Sequence, residues 1–317
     1  MTGPGFRCSD DARARADPTI GSAPLTTAYL LIEHPGPWRF AAAAGAGWSV
    51  EVTDALARAV RHTRGRVLLI RRPGRQQART RRAWAVVLPG VGSHWGTWAD
   101  ERDLLAAADI FRTLPTDLRP PLPSDPGLSA DPLLLVCTHG VHDACCALRG
   151  RPVAAALSRE WPDATWECSH VGGDRFAANL VVLPDGTYYG GLDAEDAPRI
   201  VAEHLSGRID LSHLRGSVRW SPPAQAAVAE VHRRLGPFGA GEVRAGQTAS
   251  AGTESGGTAS WRVEVSTADH RRFAVEVIGE QRAPAMLTCA AGRPSTSLTY
   301  AIRTVTDLSS PPDVTIP

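Results

Sequence analysis

Short unbroken apolar runs alternate with segments of helical spacing over the first two thirds of the chain. Residues 28–33, 66–70 and 84–88 each read as a strand buried on both faces. Thr53 and Asp54 are placed to cap a helix running to about His62, and residues 99–114 also have helical spacing. Apolar strands interleaved with helices predict an α/β layer. The first 25 residues are polar and rich in Pro and Gly, the composition of a wrapping or poorly ordered arm.

A Pro-rich stretch over 114–131 marks a boundary. Beyond it, residues 133–136 form a short buried strand, and Pro152 suits the first turn of a helix through Val153 and Leu157. Residues 165–167 are a second strand; 179–183 and 187–189 are a strand pair around Pro184-Asp185-Gly186. Helices follow over 194–205 and 223–235. After Gly236 the period changes to two, with Trp261, Val263 and Val265, then Phe273, Val275 and Val277, then Leu298, Tyr300 and Ile302. That is an antiparallel β unit with one buried face. Residues 244–260, rich in Gly, Ser and Thr, read as a flexible loop. No internal repeat is strong enough to claim. The expected division is an N-terminal α/β unit over 1–125, a second α/β unit over 131–237 and a C-terminal β unit over 238–317.

Composition narrows the function. The chain is 43% hydrophobic and 21% charged, the balance of an ordinary globular protein. A formal net charge of +1 gives no general argument for a nucleic-acid or anionic-membrane partner. Every basic residue is Arg, which excludes Schiff-base, pyridoxal-phosphate and P-loop chemistry that needs a lysine. No apolar run approaches membrane-spanning length, and residues 1–8 lack the apolar core of a signal peptide. The expectation is a cytoplasmic protein whose cysteines are thiols or ligands rather than disulfides. The run Arg71, Arg72, Arg75, Arg79, Arg81 and Arg82 lacks interleaved aromatics and reads as a solvated loop, with docking of an acidic redox partner as the alternative.

The chemistry is concentrated in two loops. The first runs Cys137-Thr138-His139-Gly140-Val141-His142-Asp143-Ala144-Cys145-Cys146, and the second Cys168-Ser169-His170-Val171-Gly172-Gly173-Asp174-Arg175-Phe176. Soft ligands concentrated between apolar strands point to a metal or iron–sulfur site. Cys137 follows a strand and Cys146 lies near the start of a helix; the whole order, strand, Cys loop, helix, strand, Gly-bearing loop, strand, turn, strand, helix, is that of a thioredoxin-like domain.

Leu135-Val136-Cys137-Thr138-His139-Gly140, Asp143-Ala144-Cys145-Cys146-Ala147 and the stretch from Ser169 through Asn179 resemble the sucrase/ferredoxin-like family of thioredoxin-like [2Fe–2S] proteins, particularly its actinobacterial branch. A looser similarity covers most of residues 5–220. The resemblance implies a thioredoxin-like ferredoxin domain within an α/β fold; the α/β unit before it has no ligand set of its own and reads as a degenerate thioredoxin-like partner packed on it. It also implies Cys-x8-Cys and His-x3-His ligation, two thiolates on one iron and two imidazoles on the other. Carried across, the ligands are Cys137, Cys146 and His170, with Asp174 where the second histidine would stand. Asp is a harder ligand than the position calls for. Three readings stay open: Asp174 binds iron, Cys168 or Cys145 substitutes, or the cluster is labile or absent.

The Cys-x-His pairs at 137–139 and 168–170 superficially match half a Rieske motif, but the second half and the β surroundings are missing. Zinc would accept the same four residues. Cys145 reads as a core residue, His139 and His142 as loop hydrogen-bonders, Arg175 as the partner of an acid, and Cys8 and Cys289 as structural, with Cys8 able to approach the site on its arm. The leading function is one-electron transfer by a [2Fe–2S] cluster between a reductase and an acceptor. The alternative is a zinc-stabilised or thiol-redox binding module. A hydrolase would draw on Asp143, Glu167, Asp174, Asp185 and Asp193, which show no recognisable carboxylate spacing.

Overall fold

The computed structural model describes residues 5–75, 79–114, 128–253 and 258–309. Most of the Pro-rich boundary (115–127), the tip of the arginine run (76–78) and residues 254–257 of the Gly/Ser/Thr segment lie outside the described residues.

Two α/β units follow one plan. The first runs β1 (Tyr29–Glu33), α2 (Val50–Thr63), β2 (Arg66–Arg71), β3 (Arg82–Leu88), β4 (Gly92–Trp98) and α3 (Asp103–Arg112). The second runs β5 (Leu133–Cys137), α4 (Ala144–Glu160), β6 (Thr165–Cys168), β7 (Leu180–Leu183), β8 (Thr187–Tyr189) and α5 (Ala197–Leu205). In each, the first strand pairs parallel with the second and antiparallel with the third, and the third pairs antiparallel with the fourth. The units join through their second strands, antiparallel at Ile70↔Cys168 and Arg71↔Glu167. With β9 (Leu214–Ser217) at one end, the result is a nine-stranded mixed sheet ordered β4-β3-β1-β2-β6-β5-β7-β8-β9. By register, Glu33 opposite Ile70 occupies in the first unit the place that Cys137 opposite Cys168 holds in the second.

Side-chain alternation explains the layers. Leu30 and Ile32 of β1 pack under α2 and α3, and Leu134 and Val136 of β5 pack under α4 and α5. The opposite face, from Tyr29 and Leu31 across to Leu135, Cys137 and Val181, is one continuous core to which the helices contribute only Cys146 of α4. The sheet curls to close it: Trp95 of β4 stacks on Trp166 of β6 at 6.1 Å, and the Tyr29 and Tyr188 hydroxyls meet at 3.0 Å.

The described part of the N-terminal arm carries a short helix, α1 (Cys8–Ala14), against the second unit. At the C-terminal end, β10 (Val243–Thr253), β11 (Ala259–Thr267), β12 (Arg272–Gln281) and β13 (Leu298–Asp307) form an antiparallel sheet. Its apolar face, with Val263, Val265, Val275 and Val277, packs on α6 (Pro222–Leu235). None of the described helices is long and apolar enough to cross a membrane.

Several expectations are corrected. Helix α2 starts earlier than Thr53, because Ser49 Oγ accepts from Val52 N at 3.5 Å and caps it. Helix α4 starts at Ala144, where Asp143 Oδ1 accepts from Cys145 N at 2.9 Å; Pro152 sits in its interior, retained by the buried face of Cys146, Val153 and Leu157. Residues 243–253 are a strand rather than a flexible loop, held by the backbone ladder of β11. Strands β4 and β9 carry no clean apolar alternation and escape the pattern. The arginine run is solvated only in part: Arg75, Arg79 and Arg81 are exposed, whereas Arg71, Arg72 and Arg82 lie over Trp38, Trp166 and Trp98, at 4.4, 3.6 and 5.2 Å from the ring centroids.

Candidate metal centre

Cys137 closes β5 and Cys146 lies in the first turn of α4, so the loop 138–143 folds back over both. The helix end comes close because residue 150 is Gly: a Cβ there would stand 2.1 Å from the Cys137 carbonyl oxygen. The second loop leaves β6 and runs through Gly172 and Gly173, both left-handed (φ +93° and +80°), into a single 3-10 turn, Asp174–Phe176. Beneath it lies Arg215, 1% exposed, whose Nη1 donates to Gly172 O and Asn179 Oδ1, both at 2.8 Å. Asn179 Nδ2 in turn donates to Gly173 O at 3.0 Å. From the first unit, Arg66 donates to the carbonyls of Val171 and His170 at 2.8 and 3.0 Å.

Between these loops the ligand atoms of Cys137, Cys146 and His170 lie within 4.8 Å of one another, and those of His142, His170 and Asp174 form an adjoining group at the same spacing. Cys146 Sγ donates to Asp174 Oδ1 at 3.2 Å, and His170 Nδ1 lies 3.0 Å from the same oxygen. The His142 and His170 rings stack at 3.6 Å, and exposed Phe40 covers the outer face of His142 at 4.6 Å. His139 uses both ring nitrogens within the protein, Nε2 toward Arg39 O at 2.9 Å and Nδ1 accepting from His170 N at 3.2 Å. It ties the loops together instead of facing a ligand.

The electrostatics form a buried alternation. The Cys146 thiol beside Cys137 holds Cys137 well below the usual thiol range; burial opposes this and His170 adds to it. Cys146 itself is pushed up by the Cys137 sulfur and by burial. Burial works against a charged His170, but Asp174 and Cys137 outweigh it and raise the imidazole to about 9. Burial likewise opposes the Asp174 carboxylate, which His170 nonetheless holds below its ordinary range.

This donor set fits a soft metal centre. It offers two buried thiols, a carboxylate and two imidazoles, and buried His170 Nδ1 makes no aligned hydrogen bond despite its approach to Asp174. The two cysteines read as possible substitutes lie outside both ligand groups. Cys168 is the register partner of Cys137, fully buried in the same core, and its sulfur belongs to neither ligand group. Cys145 turns away toward Cys8 and Cys289. The remaining carboxylates have partners of their own: Glu167 pairs with Arg71 and Asp193 with Arg13 and Arg149, and Asp185 Oδ2 lies 2.8 Å from His204 Nε2. Arg215 has no sequence signal that singles it out, being one arginine in a chain rich in them, and His142 is recognisable only once its ring is seen on His170.

The family model for sucrase/ferredoxin-like proteins matches residues 19–216, and the chain belongs to that family. Among solved structures, a cysteine-to-serine variant of the thioredoxin-like [2Fe–2S] ferredoxin from Aquifex aeolicus is similar at 23% identity, over 26% of this chain and 97% of that one, with a TM-score of 0.24. No curated protein matches the chain.

Proposed function

We propose that the protein is a one-electron carrier whose [2Fe–2S] cluster is held by Cys137, Cys146, His170 and Asp174. The observation that carries this reading is the convergence of two buried thiols and His170 within 4.8 Å, with Asp174 touching both Cys146 and His170. A bound cluster would supply reversible uptake of one electron. The chain's own residues set the conditions for it. Cys137 and Cys146, each 1% exposed, keep water from the sulfur side. The side chains of His142 and His170, 21% and 22% exposed, form the only edge of this ligand set described here that reaches solvent, and electrons would enter and leave there. Buried Arg215 offsets negative charge beneath the loop. The partners are a reductase and an acceptor protein, and the compartment is the cytoplasm.

The stacking of His142 on His170 favours a second reading, in which His142 supplies the fourth ligand and Asp174 orients His170. Anaerobic purification with iron and acid-labile sulfide analysis tests both. Cys137→Ser and Cys146→Ser should abolish binding. Asp174→Ala should lose most of the iron and His142→Phe little; the reverse order would establish the second reading. A wild-type protein that stays colourless after iron and sulfide reconstitution would exclude the cluster and leave the zinc or thiol module.

A further inference from the structure

Three cysteines that the cluster reading does not use meet at one point. Cys8 comes from α1, Cys145 from the first turn of α4 and Cys289 from the connection between β12 and β13. Their sulfurs form a closed triangle with sides of 3.3 Å (Cys145–Cys289), 3.6 Å (Cys289–Cys8) and 3.8 Å (Cys8–Cys145). Asp143 faces it, its carboxylate oxygens 3.6 and 3.7 Å from Cys8 Sγ. Asp143 is held in place by two backbone donors, Cys145 N at 2.9 Å and Cys289 N at 2.7 Å. All four ligand atoms lie within 4.8 Å of one another.

We propose that Cys8, Cys145, Cys289 and Asp143 form a structural zinc site, separate from the cluster ligands. A zinc–thiolate bond of about 2.3 Å sets tetrahedrally arranged sulfurs about 3.8 Å apart, the scale of this triangle. Three mutually adjacent sulfurs cannot all be satisfied by disulfides, since one is always left over. Zinc accepts thiolate and carboxylate in one four-coordinate shell, and four protein ligands make the site closed and structural. Binding displaces the thiol protons to solvent.

The site also has a purpose in the fold. Two of its three sulfurs lie outside residues 19–216, the segment shared with the family. The ion would fasten the N-terminal arm and the C-terminal β unit to the helix start that carries Cys146.

The test is elemental analysis of the full-length protein after equilibration with Zn2+ and removal of loosely bound metal. The expected result is about one zinc per chain in the wild type, as for a closed site. Zinc is lost in Cys8→Ser and in Cys289→Ser with iron retained, whereas Cys137→Ser loses iron and keeps zinc. Because Cys8 is fully buried and its variant risks misfolding, half-buried Cys289 supplies a second measurement: in the wild type, Zn2+ should protect it from alkylation and a chelator should expose it. The proposal is overturned if the wild type holds no zinc, if iron occupies these residues instead, if both serine variants keep full zinc, or if peptide mapping recovers a Cys145–Cys289 disulfide.

Discussion

At the scale of single residues, Asp174 decides the character of the centre. Its carboxylate touches Cys146 and His170 together, so it can bind iron or hold the imidazole that does. Iron-bound imidazole can lose its remaining ring proton, and the reduced centre holds that proton more tightly. The reduction potential should therefore fall as pH rises through the alkaline range, with a limiting slope of about 59 mV per pH unit for one proton per electron. Protein-film voltammetry should show this slope in the wild type and a flat line in His170→Cys. Far from the centre, His232 provides a pH test of the fold. Burial lowers it from 6.5 to about 4, so the folded state binds fewer protons than the unfolded one. Its contribution is intact above about pH 6.5 and lost as pH falls toward 4, by on the order of 3 kcal/mol. Urea unfolding at neutral and acid pH should register that loss, and His232→Gln should reduce it.

At the scale of elements, the close crossing of α4 over the end of β5 sets the loop between Cys137 and Cys146. Gly150→Ala would drive a methyl carbon to 2.1 Å from Cys137 O, so the helix must shift outward. A loss of about 1–3 kcal/mol is expected, as for other overpacked sites, with faster iron release in the same variant. Buried strands such as β1, β2 and β5 were legible because each carries an unbroken apolar run of four or more residues. Strands β4 and β10 were not: Gly92, His94 and Gly96 in one, and Gly, Ser and Thr in the other, take their geometry from neighbouring ladders rather than their own side chains. The two ligand-rich loops could be picked out because their donors are close in sequence. Cys8 with Cys289, and Arg215 beneath Gly172 and Gly173, are brought together only by the tertiary fold, which no local pattern encodes.

At the scale of the whole molecule, the first two units repeat one topology, joined edge to edge through β2 and β6. The repeat is absent from the sequence pattern because strand order, not residue identity, is what the halves share. The second unit carries the proposed ligands; the first has Glu33 at the register position of Cys137 and meets the second loop through Arg66 on the carbonyls of His170 and Val171. Arg66→Ala should leave both units folded by circular dichroism and yet raise the rate of iron release to a chelator several-fold, since only the loop loses its anchor. Mixed thiolate and imidazole ligation is the central proposal for this molecule, and pulsed EPR of the dithionite-reduced protein reads it directly. The expected spectrum shows nitrogen couplings from a coordinated histidine that shift on uniform 15N-histidine labelling and vanish in His170→Cys. A reduced iron–sulfur signal without histidine nitrogen coupling, or no such signal at all, would contradict it.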